Sequence, residues 1–270
     1  MNAHSGDGAD HGAPCGSQMT RRALIGGVMG AGLFSVGSSL QGVAMANEHP
    51  AGMDHRDAEP VAFRADAPQV YTRAQWNARP PKRPAEITGR PDHIVVHHTA
   101  TANTADRSIG HAFRLSRQIQ NWHMDHNGWN DSGQQLTISR GGIVMEGRNR
   151  SLDAIRTRNL AVGAHVLRHN RHTIGIENEG TYMKAQVPAQ LWRSLVEVCA
   201  WLCQVYDLDP SRAIVGHRDY NSTSCPGDVL YARLPALRRQ VAARMSGAGK
   251  GPGSAGGGIT SILPPLGNVG

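Results

Sequence analysis

The residues with the clearest chemical potential lie in the stretch AIVGHRDYNSTSCPGD, residues 213–228, where His217 and Cys225 are eight positions apart. The stretch is rich in turn-forming residues, which indicates a loop. An imidazole and a thiol in one loop fit three arrangements: two ligands of a metal, a nucleophile with its base, or a chance pairing. The loop alone does not decide between them.

A second pair of candidate ligands lies in IVVHHTAT, residues 94–101, whose β-branched residues predict a strand. His97 and His98 are adjacent there and must point to opposite faces, so only one of them reaches a metal on a given side. Two histidines and one cysteine around Zn²⁺ leave a fourth position open, as in catalytic sites. A Cys–His nucleophile pair would leave the strand histidines unexplained, so the pattern favours a metal site.

Two carboxylates occur in the predicted strand TIGIENEG, residues 173–180. Strand alternation places Glu177 and Glu179 on one face and Ile174 and Ile176 on the other. A pair of carboxylates on one face fits general acid–base chemistry, and a solvated strand face is the alternative. In the neighbouring loop, Pro226 restricts Cys225 to an extended backbone, which helps to hold the sulfur in place.

The elements that position these groups mix strands and helices. Residues 134–148 read as a hairpin that turns at Gly141 and Gly142, so the sheet cannot be wholly parallel. Helices are predicted over residues 106–126, from Pro188 onward, and over residues 230–245, the last tolerating Pro235. We therefore expect an α/β fold with a central mixed β-sheet of about five or six strands, three main flanking helices and the metal in a groove on one face.

The composition favours an exported protein with an anionic partner. The chain has 270 residues, 39% hydrophobic and 18% charged, with a net charge of +7 and a pI near 9.7. Such a balance suits nucleic acid, a membrane surface or an anionic cell wall. No basic helix with interleaved aromatic residues is evident, which argues against nucleic acid, as does export.

The N-terminus has the pattern of a signal peptide. Arg21 and Arg22 precede an apolar Gly/Ala-rich run that ends at Ala44-Met45-Ala46, a small-residue cleavage site. The arginine pair is typical of the twin-arginine route, and a retained membrane anchor fits less well. We divide the chain into a signal peptide (1–46), a linker (47–69), one domain (70–245) and a Gly-rich tail (246–270), with no stable membrane insertion after cleavage.

The cysteines do not indicate a disulfide framework. Cleavage after residue 46 removes Cys15 and leaves three thiols, which cannot all pair. Cys199 and Cys203 lie on apolar stripes of the predicted helix from Pro188 and are interpreted as core residues. Cys225 is the one remaining thiol that is not interpreted as a core residue.

Taken in order, these stretches resemble the peptidoglycan recognition proteins and the related zinc N-acetylmuramoyl-L-alanine amidases. The resemblance covers roughly residues 70–245 and rests on YTRAQWNARPP, IVVHHTAT, IQNWHMDHNGWNDSG, GGIVMEGR, AVGAH, IGIENEG and GHRDYNSTSCPGD. It implies Zn²⁺ on His97, His217 and Cys225, with Glu177 as general base. It also implies hydrolysis of the amide between N-acetylmuramic acid and L-alanine, with peptidoglycan or muropeptides as partners.

Two positions depart from the family pattern. Gln134 stands where related amidases carry a tyrosine beside the attacking water, which leaves the proton transfer to Glu177. Thr223 stands where they often carry a lysine that stabilises the oxyanion, and a neutral hydroxyl does this less strongly. Thr223 is retained as a catalytic candidate. Substrate contact is assigned to the remaining candidates: Gln134, His165, His123 and Tyr182.

Two functions from different classes remain after this comparison. The first is a zinc amidase, and the second is a module that binds muropeptides without cutting them. The presence of Cys225 favours the enzyme, since binding-only members usually lack this ligand, whereas the missing tyrosine points weakly the other way. Another metallopeptidase class is disfavoured because no H-E-x-x-H occurs. Either function would be carried out after export, in the cell wall or periplasm.

Overall fold

Strands and helices mix along the chain of the computed structural model, which describes residues 67–248. The strands are β1 (Val70–Tyr71), β2 (Ile87–Thr88), β3 (His93–His98), β4 (Leu136–Ile138), β5 (Val144–Glu146), β6 (Leu160–Ala161), β7 (Thr173–Asn178) and β8 (Ile214–Gly216). The α-helices are α1 (Ile109–Asn121), α2 (Ser151–Arg156), α3 (Ala189–Tyr206), α4 (Pro210–Ala213), α5 (Asp228–Ala232) and α6 (Leu234–Ala248). A π-helical turn, Trp122–His126, continues α1, and a 3-10 turn, His217–Asp219, follows β8.

Six of the strands form one sheet in the order β1-β5-β4-β7-β3-β8. The pairing of β4 with β5 is antiparallel and the other pairings in this sheet are parallel. β2 and β6 form a separate antiparallel pair. The predicted fold class, a mixed sheet of five or six strands with three main helices, is confirmed, with α1, α3 and α6 as the long helices.

One face of the sheet carries the main hydrophobic core. Ile94 and Val96 of β3 and Ile174 and Ile176 of β7 point to this face and are fully buried. They pack in one cluster with apolar residues of α3 and α6. Cys199 and Cys203 of α3 are buried in the same cluster as free thiols, as predicted. Burial raises the pKa of Cys203 to about 12.

The opposite face carries the polar groups. In the parallel register, His97 of β3 pairs with Glu177 of β7, and Glu177 pairs with Thr137 of β4. Cross-strand partners point to the same side, so the three side chains form a row. Toward the β1 edge the same face is apolar, where Met145 packs with Ala112 of α1. α1 therefore covers one part of the face, and the polar row lies beyond it.

The C-terminal helix differs from its prediction. Residues 230–245 were expected to form one helix that tolerates Pro235, but α5 ends at Ala232 and α6 begins at Leu234. In a continuous helix Pro235 would lack the N–H that bonds to Tyr231, and its ring would clash with that carbonyl. As the second residue of a new helix, Pro235 needs no such bond.

The first helix is shorter than predicted. It begins at Ile109 rather than near residue 106, because Ser108 caps it by accepting a hydrogen bond from the His111 N–H at 3.2 Å. The predicted signal peptide, nearly all of the linker and the tail beyond residue 248 lie outside the described residues. Within residues 67–248, no helix has the length and apolar character required to cross a membrane.

Candidate metal centre

Three buried donors converge at the ends of two neighbouring strands. His97 lies near the end of β3, and His217 follows β8, which pairs in parallel with β3. The loop after the 3-10 turn then returns Cys225 to the same place. One ligand atom from each residue lies within 4.8 Å of the others, and all three residues are buried.

The loop that carries His217 and Cys225 is held by the two residues after His217. Asp219 accepts hydrogen bonds from the Gly216 N–H at 2.7 Å and from the Tyr231 hydroxyl at 2.5 Å. Arg218 donates to the backbone carbonyls of Ser224 and Cys225 and to Asp228. The Arg-Asp part of the sequence GHRD therefore has a structural role here, which is to fix the position of the ligand loop.

The orientation of His217 is set by Asn221. The Asn221 Oδ1 accepts a hydrogen bond from the Leu167 N–H at 3.1 Å and lies 3.1 Å from the His217 Nε2. The carbonyl oxygen can only accept, so His217 carries its proton on Nε2. Its Nδ1 is then a free lone pair, and this buried atom has no hydrogen-bond partner among residues 67–248.

The orientation of His97 is set in the same way by His165. The His165 Nε2 lies 3.4 Å from the Thr173 carbonyl, to which it donates, so the His165 Nδ1 is an acceptor. That Nδ1 lies 3.1 Å from the His97 Nε2, which must donate. His165 packs against Gly175, where an added Cβ would lie 2.7 Å from the ring. Both candidate ligand histidines thus present an unprotonated Nδ1.

The donor set fits a zinc ion. The Cys225 Sγ lies 3.7 Å from the His97 Nδ1. Tetrahedral Zn²⁺ with typical Zn–S and Zn–N bonds separates such atoms by about 3.6 Å. Burial, together with the neighbouring charges of His217 and His165, holds the pKa of His97 well below its usual range, and burial also lowers the pKa of His217. Neutral imidazoles are the form that binds a metal.

His98 lies on the other face of β3 and has a different role. Its Nδ1 accepts a hydrogen bond from the Tyr182 N–H at 3.2 Å, and burial lowers its pKa to about 4. Its backbone N–H lies 3.4 Å from the Cys225 Sγ. The structure therefore separates the two adjacent histidines, with only the side chain of His97 among the converging donors.

The two carboxylates of β7 have unlike surroundings. Glu179 is 1% exposed and pairs with His111 of α1 at 2.6 Å, while its other oxygen accepts from the Arg140 N–H at 2.7 Å. Glu177 is 8% exposed and lies directly across from His97 in the strand register. Glu179 thus links three parts of the fold, and Glu177 is the carboxylate beside the converging donors.

Gln134 and Thr223 lie near these groups with defined partners. The Gln134 Nε2 donates to the Thr137 hydroxyl at 2.8 Å, and Thr137 is the row neighbour of Glu177. The Gln134 Oε1 is buried and accepts no hydrogen bond from the described part of the chain. The Thr223 hydroxyl accepts from the Cys225 N–H at 3.2 Å, so it supports the ligand loop.

The predicted substrate contacts of His123 and Tyr182 differ in outcome. His123 lies against Trp129, with ring centroids 4.6 Å apart, and its Nδ1 accepts from the Gly133 N–H at 3.0 Å, next to Gln134. Burial lowers its pKa to about 4. The prediction for Tyr182 requires correction, because its ring is fully buried in the core and its hydroxyl donates to the Glu179 carbonyl. The Tyr182 side chain is not available to a substrate.

Sequence reasoning missed the residues that orient the site. Asn221 and Thr137 are common surface or strand residues by type, and nothing in their spacing distinguishes them. Gly175 could have been identified, since a glycine within a strand often marks a close approach of another group. The structure also brings together a second group outside this site, formed by Asp92, His93 and His172.

Comparison with known proteins identifies the family. Residues 87–228 match the family described as N-acetylmuramoyl-L-alanine amidase. The chain is 26% identical over 166 residues to Peptidoglycan-recognition protein LB of Drosophila melanogaster, covering 62% of this chain and 67% of that protein. It is 29% identical over 171 residues to the human N-acetylmuramoyl-L-alanine amidase, which matches 62% of this chain, but the match spans only 28% of the human protein.

Solved structures agree with this relationship. Drosophila PGRP-LB has a TM-score of 0.54 at 26% identity and covers 62% of this chain and 93% of its own. Peptidoglycan recognition protein LE, solved in complex with tracheal cytotoxin, a monomeric diaminopimelic acid-type peptidoglycan, has a TM-score of 0.54 at 27% identity, covering 62% of this chain and 92% of its own. With the family match over more than half of its length, the chain belongs to the peptidoglycan recognition protein and type 2 N-acetylmuramoyl-L-alanine amidase family.

Proposed function

We propose that the protein is a zinc-dependent N-acetylmuramoyl-L-alanine amidase that hydrolyses the amide between N-acetylmuramic acid and L-alanine in peptidoglycan. The observation that carries the proposal is the convergence of His97, His217 and Cys225, which are buried and whose ligand atoms lie within 4.8 Å of one another. Both imidazoles are oriented by hydrogen bonds on their other nitrogen. Such outer partners are typical of metal-binding histidines.

Three protein ligands leave one coordination position for catalysis. His97, His217 and Cys225 would hold Zn²⁺, which would supply Lewis acidity to the substrate carbonyl and to water. The thiolate of Cys225 offsets one of the two positive charges, and the imidazoles add none because they are neutral.

Glu177 acts as the proton carrier in this proposal. Amide hydrolysis adds a hydroxyl to the lactyl carbonyl carbon and a proton to the departing L-alanine amine. Glu177 takes the proton of the attacking water and returns it to the amine. Its pairing with His97 in the strand register, on the polar face of the sheet, supports this role. Glu179 is unsuited to this work because His111 and Arg140 hold both of its oxygens.

The other predicted residues have supporting roles. Gln134 points its Nε2 to Thr137 and keeps a buried Oε1 as an acceptor for water or a substrate N–H. Thr223 supports Cys225 from within the loop and offers a hydroxyl to the developing oxyanion. His123 lies beside the backbone of Gly133 and contributes to the wall of the groove. His165 acts mainly through His97.

Two observations support peptidoglycan as the substrate class: the ligand of a related structure and the net charge of this chain. A related structure contains tracheal cytotoxin, a muropeptide with a diaminopimelic acid residue. The net charge of +7 suits an anionic wall polymer. Binding of muropeptides without cleavage is the second candidate function, and the glutamine at position 134 in place of a tyrosine is the feature that favours it.

Digestion of purified cell wall separates the two functions. The protein should release stem peptides that carry a free L-alanine amine, detected by mass spectrometry of the soluble fraction. Binding without cleavage would instead deplete the protein from solution and release no peptide. Glu177→Gln should bind wall like the wild type and release little peptide, and Glu179→Gln serves as the matched carboxylate control.

Export by the twin-arginine route completes the proposal, although the segment involved lies outside the described residues. Folding before export would let zinc enter in the cytoplasm and would shield the Cys225 thiolate from oxidation afterwards. Replacement of Arg21 and Arg22 by lysine should retain full-length protein inside the cell, measured by immunoblotting of fractions. Unimpaired appearance of the processed double variant outside the cytoplasm would contradict this route.

A further inference from the structure

A second group of metal-binding side chains lies at the start of β3 and β7, the strands that carry His97 and Glu177 farther along. His93 is the first residue of β3, Asp92 immediately precedes it, and His172 immediately precedes β7. One ligand atom from each lies within 4.8 Å of the others. His169 lies behind His172, with its Nδ1 3.0 Å from the His172 Nε2, the ring nitrogen that does not face Asp92.

The backbone holds this group in place. The Asp92 N–H donates to the His172 carbonyl at 2.9 Å, and His93 pairs with Thr173 in the parallel register. The Thr173 hydroxyl donates to the His169 carbonyl at 2.7 Å, which fixes the turn before β7. The donors therefore come from adjoining segments whose main chains are bonded to one another.

Within this group there are more hydrogen-bond donors than acceptors. A single carboxylate oxygen, Asp92 Oδ1, accepts from both the His93 Nδ1 and the His172 Nδ1, each at 2.7 Å. His172 and His169 share one further proton. One divalent cation could take the place of the two N–H protons that point to this oxygen and bind the carboxylate and the imidazoles directly.

We propose that Asp92, His93 and His172 form a second binding site for a divalent transition metal, in which His169 orients His172 through the His172 Nε2. Imidazole nitrogens with one carboxylate select Zn²⁺, Ni²⁺ or Cu²⁺ over Mg²⁺ or Ca²⁺, which prefer sets of oxygens. Tetrahedral Zn²⁺ would separate its ligand atoms by about 3.3 Å. The two contacts of Asp92 with the histidines, each 2.7 Å, would therefore lengthen by about 0.6 Å. The side chains are 61%, 32% and 38% exposed for Asp92, His93 and His172, which gives an ion access from solvent and leaves room for this adjustment.

The second site adjoins the segment that carries the first. The Tyr220 ring stacks on His169 with centroids 4.2 Å apart and lies 6.0 Å from the His93 ring. The next residue, Asn221, contacts His217. The second site is nevertheless independent of the proposed amidase function, because it contains none of the residues assigned to catalysis.

Metal titration of the untagged full-length protein tests the proposal. Co²⁺ is a suitable probe, because of the two candidate sites only the one with Cys225 gives an intense thiolate charge-transfer band in the near ultraviolet. Wild-type protein should bind a further equivalent of Co²⁺ or Zn²⁺ after this band has saturated. His93→Ala, His172→Ala and Asp92→Asn should each lose that equivalent and keep the band, whereas Cys225→Ser should lose the band and keep the equivalent.

The control is His126→Ala, which removes an exposed histidine outside both sites. Any binding by His4, His11, His49 and His55 is common to all variants and cancels in the difference. Circular dichroism checks that each variant is folded. Identical titrations for the wild type, His93→Ala and His172→Ala would overturn the proposal and leave the cluster as a set of surface hydrogen bonds.

Discussion

The two ends of β3 carry histidines in opposite circumstances. At the buried end, His97 is bonded through Nε2 to a neutral partner, and its Nδ1 faces the Cys225 sulfur. At the exposed end, His93 is bonded through Nδ1 to the Asp92 carboxylate. Because His97 is buried and has a neutral partner, its Nδ1 carries no proton and is shielded from water. Because His93 is more exposed and bonds to a carboxylate, its Nδ1 carries a proton and is accessible to water.

This difference predicts how the two ends behave toward metals. At the buried end the ligands are already neutral and in position, so an ion replaces no proton on the His97 Nδ1 or the His217 Nδ1. At the exposed end an ion must displace two protons and compete with water. We therefore expect tight binding at the buried donors and weaker, readily exchanging binding at Asp92, His93 and His172.

The largest expected effect comes from removing a ligand at the buried end. Cys225→Ser should lose the zinc and lower the amidase rate about 10⁴-fold, because several kcal/mol of transition-state stabilisation go with the metal. Zinc content and peptide release would be measured on the same preparation. Asp92→Asn is the matched change at the exposed end and should leave the amidase rate unaltered. Equal losses in both variants would remove the distinction between the two ends.

The next largest effect concerns the proton carrier. Glu177→Gln keeps the shape of the side chain and removes the base, so the rate should fall about 10²–10⁴-fold while the tightly bound zinc remains. Gln134→Ala should cost much less, since the amide only orients water. Near-wild-type peptide release by Glu177→Gln would refute the assignment.

A smaller effect is expected from the residue that orients His217. Asn221→Ala removes the acceptor that fixes the His217 proton on Nε2, so zinc affinity should fall about tenfold to a hundredfold. Competition with a chromophoric chelator measures this affinity without reference to catalysis. Asn221→Asp, which keeps the acceptor oxygen, should restore most of the binding. Unchanged affinity in Asn221→Ala would show that packing alone orients the imidazole.

The smallest effect on the site should come from the second carboxylate of β7. Glu179→Gln weakens the bonds to His111 and to the Arg140 N–H and should lower the free energy of unfolding by about 1.5–3 kcal/mol. Zinc content should not change. Denaturant unfolding followed by circular dichroism measures the loss, and a stable variant without amidase activity would show that the roles of Glu177 and Glu179 have been exchanged.

Much of the fold was predictable because its main strands have clear sequence patterns. The β-branched run of β3 and the alternation in β7 each matched an observed strand, and the hairpin turned near Gly141 as expected. The division between α5 and α6 was missed because a proline is tolerated near the start of any helix. The sequence alone does not show whether Pro235 lies in the first turn of one long helix or of a second, separate helix. The short strand β1 gives too little periodicity to detect.

The site was predictable only in part. The residue types at the strand pair and in the His217–Cys225 loop favour a metal, and the family resemblance implies the set His97, His217 and Cys225. Asn221 and His165 act through contacts between segments far apart in the chain, which the sequence does not show. The wrong assignment of Tyr182 has the same origin, because its direction depends on how the loop after β7 packs against the core. The cluster at Asp92 was overlooked because its histidines are separated in sequence and meet only across the paired strands.

Stepwise removal of metal is the most direct test of the central claim, that the buried donors bind the zinc that supports amide hydrolysis. A weak chelator should strip the exposed cluster and leave peptide release from purified wall unchanged. A strong chelator should then remove the last equivalent and abolish release in proportion to zinc content, and added Zn²⁺ should restore both. Full release of stem peptides by protein that contains no zinc would contradict the account.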